Sequence, residues 1–269
     1  MTTSAFALAA DIDSRLNEMR NIVSRAEKAF DVDEELYDIL CRAGSILLVS
    51  ALEGFIKDLN VALQTDLNLN IENFSAMPKK MQREFANKMA YYDNVPDAER
   101  HRRSSQILKF FEINSVNIDM NAFPYKENLN KNPSSNFIDS SFAKYGIQSA
   151  LHCLAGSRFE VVFDNDTATD VVLRREIRRM RATLFHFPYR ALPEKFELVD
   201  WAPDRGRVIP NSLWHTYLEN ISGRRHTIVH ADTQANPTSW QILKDDTNKM
   251  EVMFNALLLA VASLLGRDL

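Results

Sequence analysis

The apolar spacing of the closing segment constrains the fold most. Leu243, Met250, Phe254, Leu257, Val261 and Leu264 follow one another at intervals of seven, four and three. That spacing keeps one stripe of a helix against a neighbouring helix. Other segments have the same period. Residues 5 to 30 carry Phe6, Ile12, Leu16, Met19, Val23 and Phe30, and residues 34 to 66 carry Leu36, Leu40, Ala43, Leu47, Phe55 and Leu59. Both read as amphipathic helices. Shorter helices are expected over 76 to 92 and 97 to 116, the second opening at Pro96-Asp97, and again from Ile138 to about Cys153. Thr167 or Thr169 caps a helix running to about Phe187, and Asn211 or Ser212 caps one carrying Trp214, Leu218 and Ile221. Phe159 to Phe163 reads either as a short strand or as a lead-in.

Residues 117 to 136, rich in Asn with Pro124 and Pro133, and residues 188 to 210, rich in proline, read as long irregular connections. No internal repeat is evident. The expectation is an all-α chain forming one domain over residues 1–269. An N-terminal helix at 5–30 precedes a core of about 36–265 that carries two long loop insertions.

Composition narrows the function. Glycine occurs only seven times, and no G-x-G-x-x-G or G-x-x-x-x-G-K-[ST] is present. A Rossmann or P-loop nucleotide site is thereby excluded. A net charge of −4 gives no global basic field, so nucleic-acid binding must rest on local patches. Cys41 and Cys153 match no zinc or disulfide spacing and read as buried, reduced thiols. The N-terminus lacks a basic n-region and turns acidic at Asp11 and Asp13. The run from Met253 to Leu265 contains Asn255 and is too short to cross a bilayer, so it reads as a core helix. The chain is expected to be cytoplasmic, with no membrane partner.

The chemistry concentrates in Ser222-Gly-Arg-Arg-His-Thr-Ile-Val-His-Ala-Asp232. Arginine presents a planar fork of donors to phosphate, and histidine moves protons near neutral pH. On a helix Arg225 and His230 differ by roughly 140° in direction and about 7.5 Å in height. They can therefore meet only at the rim of a groove formed with another helix or a second subunit. His226 and His230, at i and i+4, share a face. No third ligand at diagnostic spacing and no H-E-x-x-H accompanies them, so no metal or other cofactor is expected. With twenty arginines and six histidines, a chain of this composition should contain about one chance match to Arg followed by four to six residues and then His. A second instance, Arg181 to His186, does occur, but in apolar surroundings where His186 reads as a core histidine.

Context gives the later motif its weight. Arg225-His226-Thr-Ile-Val-His230, the segment Leu47 to Leu59 with its Leu-Glu-Gly-Phe turn, and the stretch Asn136 to Ile147 together resemble the HEPN superfamily, in its RiboL-PSP branch. Ala231 stands where many members have Gly. The resemblance spans roughly residues 36 to 265. It implies an all-α HEPN-like bundle and metal-independent RNA cleavage through the ribose 2′-OH, often in toxin or phage-defence settings. It also implies a homodimer with a composite active site, and a neutralising partner protein is a possible companion. Arg225 and His230 would be catalytic, with His226 assisting and Arg224 binding phosphate. Glu53 either pairs with Arg225 or His230 or faces solvent beside Gly54 and Lys57. Arg174, Arg178 and Arg181 share one face of their helix, and Arg100 to Arg103 open another basic run. Each run either grips an RNA backbone or is a solvated face paired with acids such as Glu176, Asp164, Asp166 and Asp170; no interleaved aromatic platform accompanies the arginines. The competing reading is a non-catalytic HEPN module that binds RNA or protein.

Overall fold

The computed structural model describes residues 2–92, 94–117, 119–120, 134–199, 211–230, 238–267 and 269. Most of the connection at 117 to 136, the second half of that at 188 to 210, and Ala231, Asp232 and Pro237 lie outside the described residues. The architecture is all-α, and no strand occurs among the described residues; the nearest approach is an isolated antiparallel bridge between Asn73 and Asn117.

Two long helices open the chain. In α1 (Ser4–Ala29), the Thr3 hydroxyl accepts from the Phe6 amide at 3.1 Å, an N-cap. The carboxylate of buried Asp66 accepts from the amides of Ser4 and Ala5 at 2.7 and 3.0 Å and from the Tyr189 hydroxyl at 2.7 Å. A negative charge there offsets the unpaired donors and positive dipole of a helix start. α2 (Glu34–Asn70) is capped by Asp33, whose carboxylate accepts from Leu36 N at 3.0 Å. At 37 residues it runs for about 55 Å.

α3 (Lys79–Ala90) and α4 (Asp97–Ile113) form a hairpin, with α3 against the turn at Ala143–Tyr145 and α4 against that at Phe74–Ala76. The expected helix from Ile138 to Cys153 is broken instead. α5 (Ser135–Ser141) gives way to a 3-10 turn at Ala143–Tyr145, then to a bend, and resumes as α6 (Ala150–Cys153). Gly146 enforces the break. Its φ of 79° is left-handed, and an added Cβ would strike the Lys80 side chain and backbone. Phe159 to Phe163 is not a strand: Arg158–Asp164 is 3-10 helix that leads toward the next α-helix. α7 (Thr167–Met180) is capped by Asp166 rather than by either threonine, with Ala168 N donating to its carboxylate at 3.1 Å. It tightens to 3-10 geometry at Arg181–Leu184.

α8 (Leu213–His230) and α9 (Trp240–Arg267) complete the fold. Every residue of α9 from Met250 to Leu265 is buried, so the stripe expected on one face extends all round the helix. Such a helix needs partners on all sides, and α1, α2, α6 and α7 provide them. The Phe55 and Phe254 rings stack across the α2–α9 contact, 4.2 Å apart and 9° from parallel. Each apolar side chain so enclosed contributes roughly 1.5–3 kcal/mol. Tyr189, Leu192, Phe196 and Leu198 are also buried, so the described part of the proline-rich connection belongs to the core. Cys41 and Cys153 are both buried thiols.

Candidate active site

α8 carries the motif and also decides which way each of its residues faces. Trp214, Tyr217, Leu218 and Ile221 are buried at helical spacing against α2 and the Arg158–Asp164 turn. The Phe163 ring meets Trp214 edge-on at 4.8 Å and anchors this half of the helix. One turn further along the same stripe come Arg224 and Arg225, both half-buried. His226 and His230 fall on the other side and are exposed, with ring centroids 4.6 Å apart. Within one chain the arginine of the motif thus lies toward the protein and its histidines toward solvent.

Adjacent arginines differ in their surroundings. Arg224 forms an ion pair with Asp246 of α9. Burial pushes the Asp246 carboxyl above the usual carboxylate range, against the pull of the Arg224 charge. The Tyr217 hydroxyl donates to the Asp246 carbonyl at 2.8 Å, and burial raises its pKa well above the ordinary phenol value. Arg224 thereby closes one wall of a concavity of about 290 Å³ between α8 and α9, also lined by Phe163, Asn220 and Lys249. The guanidinium expected to bind phosphate is engaged in holding α8 to α9.

The arginines of α7 repeat the lesson. Arg174, Arg178 and Arg181 do share a face, and that face meets α9. Arg174 pairs with Asp170 at 2.9 Å and with Glu251, and donates to the Asn248 carbonyl at 3.0 Å. Arg178 reaches Glu251 at 3.5 Å, as Arg20 of α1 does at 2.8 Å. Arg181 donates to Asn255 Oδ1 at 2.9 Å and pairs with Asp13 at 3.3 Å. Of the nearby acids expected as partners, only Asp170 pairs with an arginine of this face; Glu176 instead binds Arg158 and Lys195, at 2.8 and 2.5 Å. Arg175, Arg178 and Arg179 are all exposed, and of these Arg175 and Arg179 form no ion pair among the described residues. With Val171, Arg174 and Arg178 they line an open concavity of about 500 Å³.

Glu53 is half-buried, and its carboxylate accepts from Lys57 Nζ at 2.7 Å, one turn along its own helix. An added Cβ at neighbouring Gly54 would meet open space. This is the solvent-side arrangement rather than a bridge to α8. His186 is exposed, not a core residue; its ring meets that of Phe185 in an edge contact, with centroids 4.7 Å apart. The 3-10 turn at Arg181–Leu184 ends the α-helical period that would have turned it inward.

Two features escape a reading of the sequence one helix at a time. Tyr91 and Tyr92, both exposed, lie under Arg100 and Arg103, with guanidinium-to-ring distances of 5.7 and 4.9 Å. The aromatics that the basic run lacks on its own helix therefore come from the residues after α3. Asp139, His152 and His215, far apart in sequence, also converge. Asp139 lies in a stretch quoted for its family likeness, but no spacing rule links it to either histidine.

The helical frame is that of an all-α domain of the HEPN type. The profile of the RiboL-PSP-HEPN family matches residues 10–167, more than half of the chain, and the chain belongs to that family. The match begins within α1, earlier than the core boundary expected near residue 36, and ends before α8. It thus covers the helices from α1 to α6 but neither α9 nor the Arg225–His230 motif. No curated protein and no solved structure matches the chain.

Proposed function

We propose that this protein is a metal-independent endoribonuclease in which Arg225 and His230 act on one phosphodiester across a cleft formed by two copies of α8. The observation that carries this reading is the end of α8, where a half-buried guanidinium and two exposed, adjacent imidazoles occupy the last two turns. Membership of a HEPN family adds to it. Because Arg225 and His230 diverge within one chain, a homodimer in which the motifs face each other is the arrangement that lets both reach a single phosphate.

The chemistry needs little beyond these groups, since RNA carries its own nucleophile. His230 removes the proton as the ribose 2′-oxygen bonds to phosphorus, or supplies one to the departing 5′-oxygen as the P–O5′ bond breaks. Arg225 holds the phosphoryl oxygens and stabilises the charge that builds on them. His226 orients or assists. The products are a 2′,3′-cyclic phosphate and a 5′-hydroxyl. A toxin or phage-defence role in the cytoplasm, restrained by a neutralising partner protein, is the setting this activity suits.

The test is cleavage of total RNA in EDTA by wild type, Arg225→Ala and His230→Ala, with folding checked by circular dichroism. Loss of cleavage in both folded variants supports the assignment, and cleavage equal to wild type in both sinks it. RNA binding with no cleavage by wild type would make the protein a non-catalytic RNA-binding module. A strictly monomeric protein would contradict the shared cleft.

A further inference from the structure

We propose that Asp139, His152 and His215 form a binding site for one divalent transition-metal ion of the zinc type, tying α5, α6 and the start of α8 together. The three side chains come from three separate segments, and one ligand atom of each lies within 4.8 Å of the others. They are 14%, 12% and 6% exposed, so the site is enclosed without being sealed.

The distances fit an ion better than hydrogen bonds. Asp139 Oδ2 lies 3.4 Å from His215 Nε2 and 3.8 Å from His152 Nδ1. Both exceed the ~2.7–3.2 Å of a good N–H···O bond. Both are close to the edge of a tetrahedron around zinc, about 3.4 Å for metal–ligand bonds of ~2.0–2.1 Å. The imidazoles themselves face each other with ring centroids 4.3 Å apart. Two histidines and one carboxylate are a zinc-type donor set, and they leave a fourth position for water.

The groups behind the three ligands hold them in place, and two of their contacts are exchanged when an ion binds. Asp139 Oδ1 accepts the Leu151 amide at 2.9 Å, which fixes the carboxylate and leaves Oδ2 facing the imidazoles. The Ser149 hydroxyl contacts His152 Nδ1, the nitrogen nearest Asp139, and turns away when that nitrogen takes the ion. The Ser212 hydroxyl lies 2.7 Å from His215 Nδ1, and the Ser212 amide donates to the same nitrogen at 3.1 Å. Coordination through Nε2 places the ring proton on Nδ1, where the Ser212 hydroxyl oxygen accepts it and the amide contact is given up. Metal-bound histidines are commonly oriented by such an outer acceptor.

This site is independent of the cleavage reading. His215 and His230 stand at opposite ends of α8, about 22 Å apart along its axis. The ion is a staple between helices rather than a participant at the motif, and its binding is coupled to folding stability.

The experiment is equilibrium dialysis of the full-length protein against Zn²⁺, with Co²⁺ absorption spectra as a second readout. Asp139→Asn and His215→Ala are compared with wild type and with the His226→Ala/His230→Ala double variant. Wild type should retain one Zn²⁺ per chain, give a tetrahedral Co²⁺ spectrum and melt at a higher temperature with Zn²⁺ than without. Loss of an outer partner costs ~10–100-fold in metal affinity, so loss of a ligand should exceed ~100-fold. Asp139→Asn, which preserves shape, reads the ligand even if His215→Ala fails to fold. The double variant should bind as wild type does. Absence of Zn²⁺ binding by folded wild type overturns the proposal, as does binding that survives Asp139→Asn but is lost in the double variant.

Discussion

The inner face of α7 and the outer end of α8 set the same residue type in different surroundings. Arg174, Arg178 and Arg181 point at α9, whose buried Glu251 and Asn255 take up their donors. One turn before the end of α8 the division falls between neighbours: Arg224 closes on buried Asp246, whereas Arg225 leads toward the exposed His226 and His230. A desolvated acid opposite a guanidinium commits that guanidinium to the fold, as Asp246 does Arg224. Removing one partner of a buried pair strands a charge, while removing an exposed group does not. The comparison therefore predicts that substitutions at the two places separate activity from stability.

The largest effect is expected at the end of α8. His230→Ala and Arg225→Ala should each slow RNA cleavage by ~10²–10⁴-fold, the range of a lost general acid–base or charge-stabilising group. His230→Ala should melt at the wild-type temperature, because its imidazole is exposed. A large fall in its melting temperature would break the contrast.

Next comes Glu251, which accepts from Arg20, Arg174 and Arg178 while only 5% exposed. Glu251→Ala should destabilise the fold by about 2–3 kcal/mol, measured by urea unfolding, since it leaves the largely buried Arg174 with Asp170 as its one carboxylate partner. The surviving folded fraction should still cleave RNA. Loss of cleavage without loss of stability would show that this cluster serves the reaction after all.

Much of the frame was legible because helix period and capping are local. The helix expected over 34 to 66 is α2, Glu34–Asn70, and α9 follows from its apolar spacing. Features set by distant partners were not legible. Arg174 lies 77 residues from Glu251 and Arg224 lies 22 from Asp246, so no single helix reveals that these arginines are engaged. The break at Gly146 depends on the approach of Lys80 from α3. His186 was misjudged because apolar neighbours in sequence do not fix a direction once the helix tightens to 3-10 geometry. At the candidate site, the divergence of Arg225 and His230 could be derived from helix geometry. The loss of Arg224 to an ion pair could not.

Arg224→Ala should cost about 2 kcal/mol by leaving the Asp246 carboxyl buried without its cation. It should also change the pH dependence of stability. Burial raises Asp246 above its ordinary 3.8, so between that value and the raised one the folded chain holds the proton more tightly than the unfolded chain. This contribution is fully present below the ordinary value and is lost as pH rises through the raised one. Removing the Arg224 charge, which pulls the pKa down, should extend the loss to higher pH. Asp246→Asn should abolish this slope. A slope unchanged in Asp246→Asn would mean that another group sets it.

The smallest effect lies on α7 itself and sharpens the comparison within one helix. Arg175 and Arg179 lack ion pairs among the described residues, whereas each of the three arginines facing α9 has one, the exposed Arg178 included. If RNA reaches this surface, it meets these two first. Arg175→Ala/Arg179→Ala should weaken RNA binding only a few-fold at moderate salt and leave the melting temperature unchanged. It should also flatten the dependence of log K on log salt by about 1.4, the value for two lost phosphate contacts on a single strand. Salt titration distinguishes this from a general loss of fold, because unfolding would not subtract a fixed number of released counterions. An unchanged slope would leave the outer face of α7 a solvated surface and confine the RNA contacts to the cleft at the end of α8.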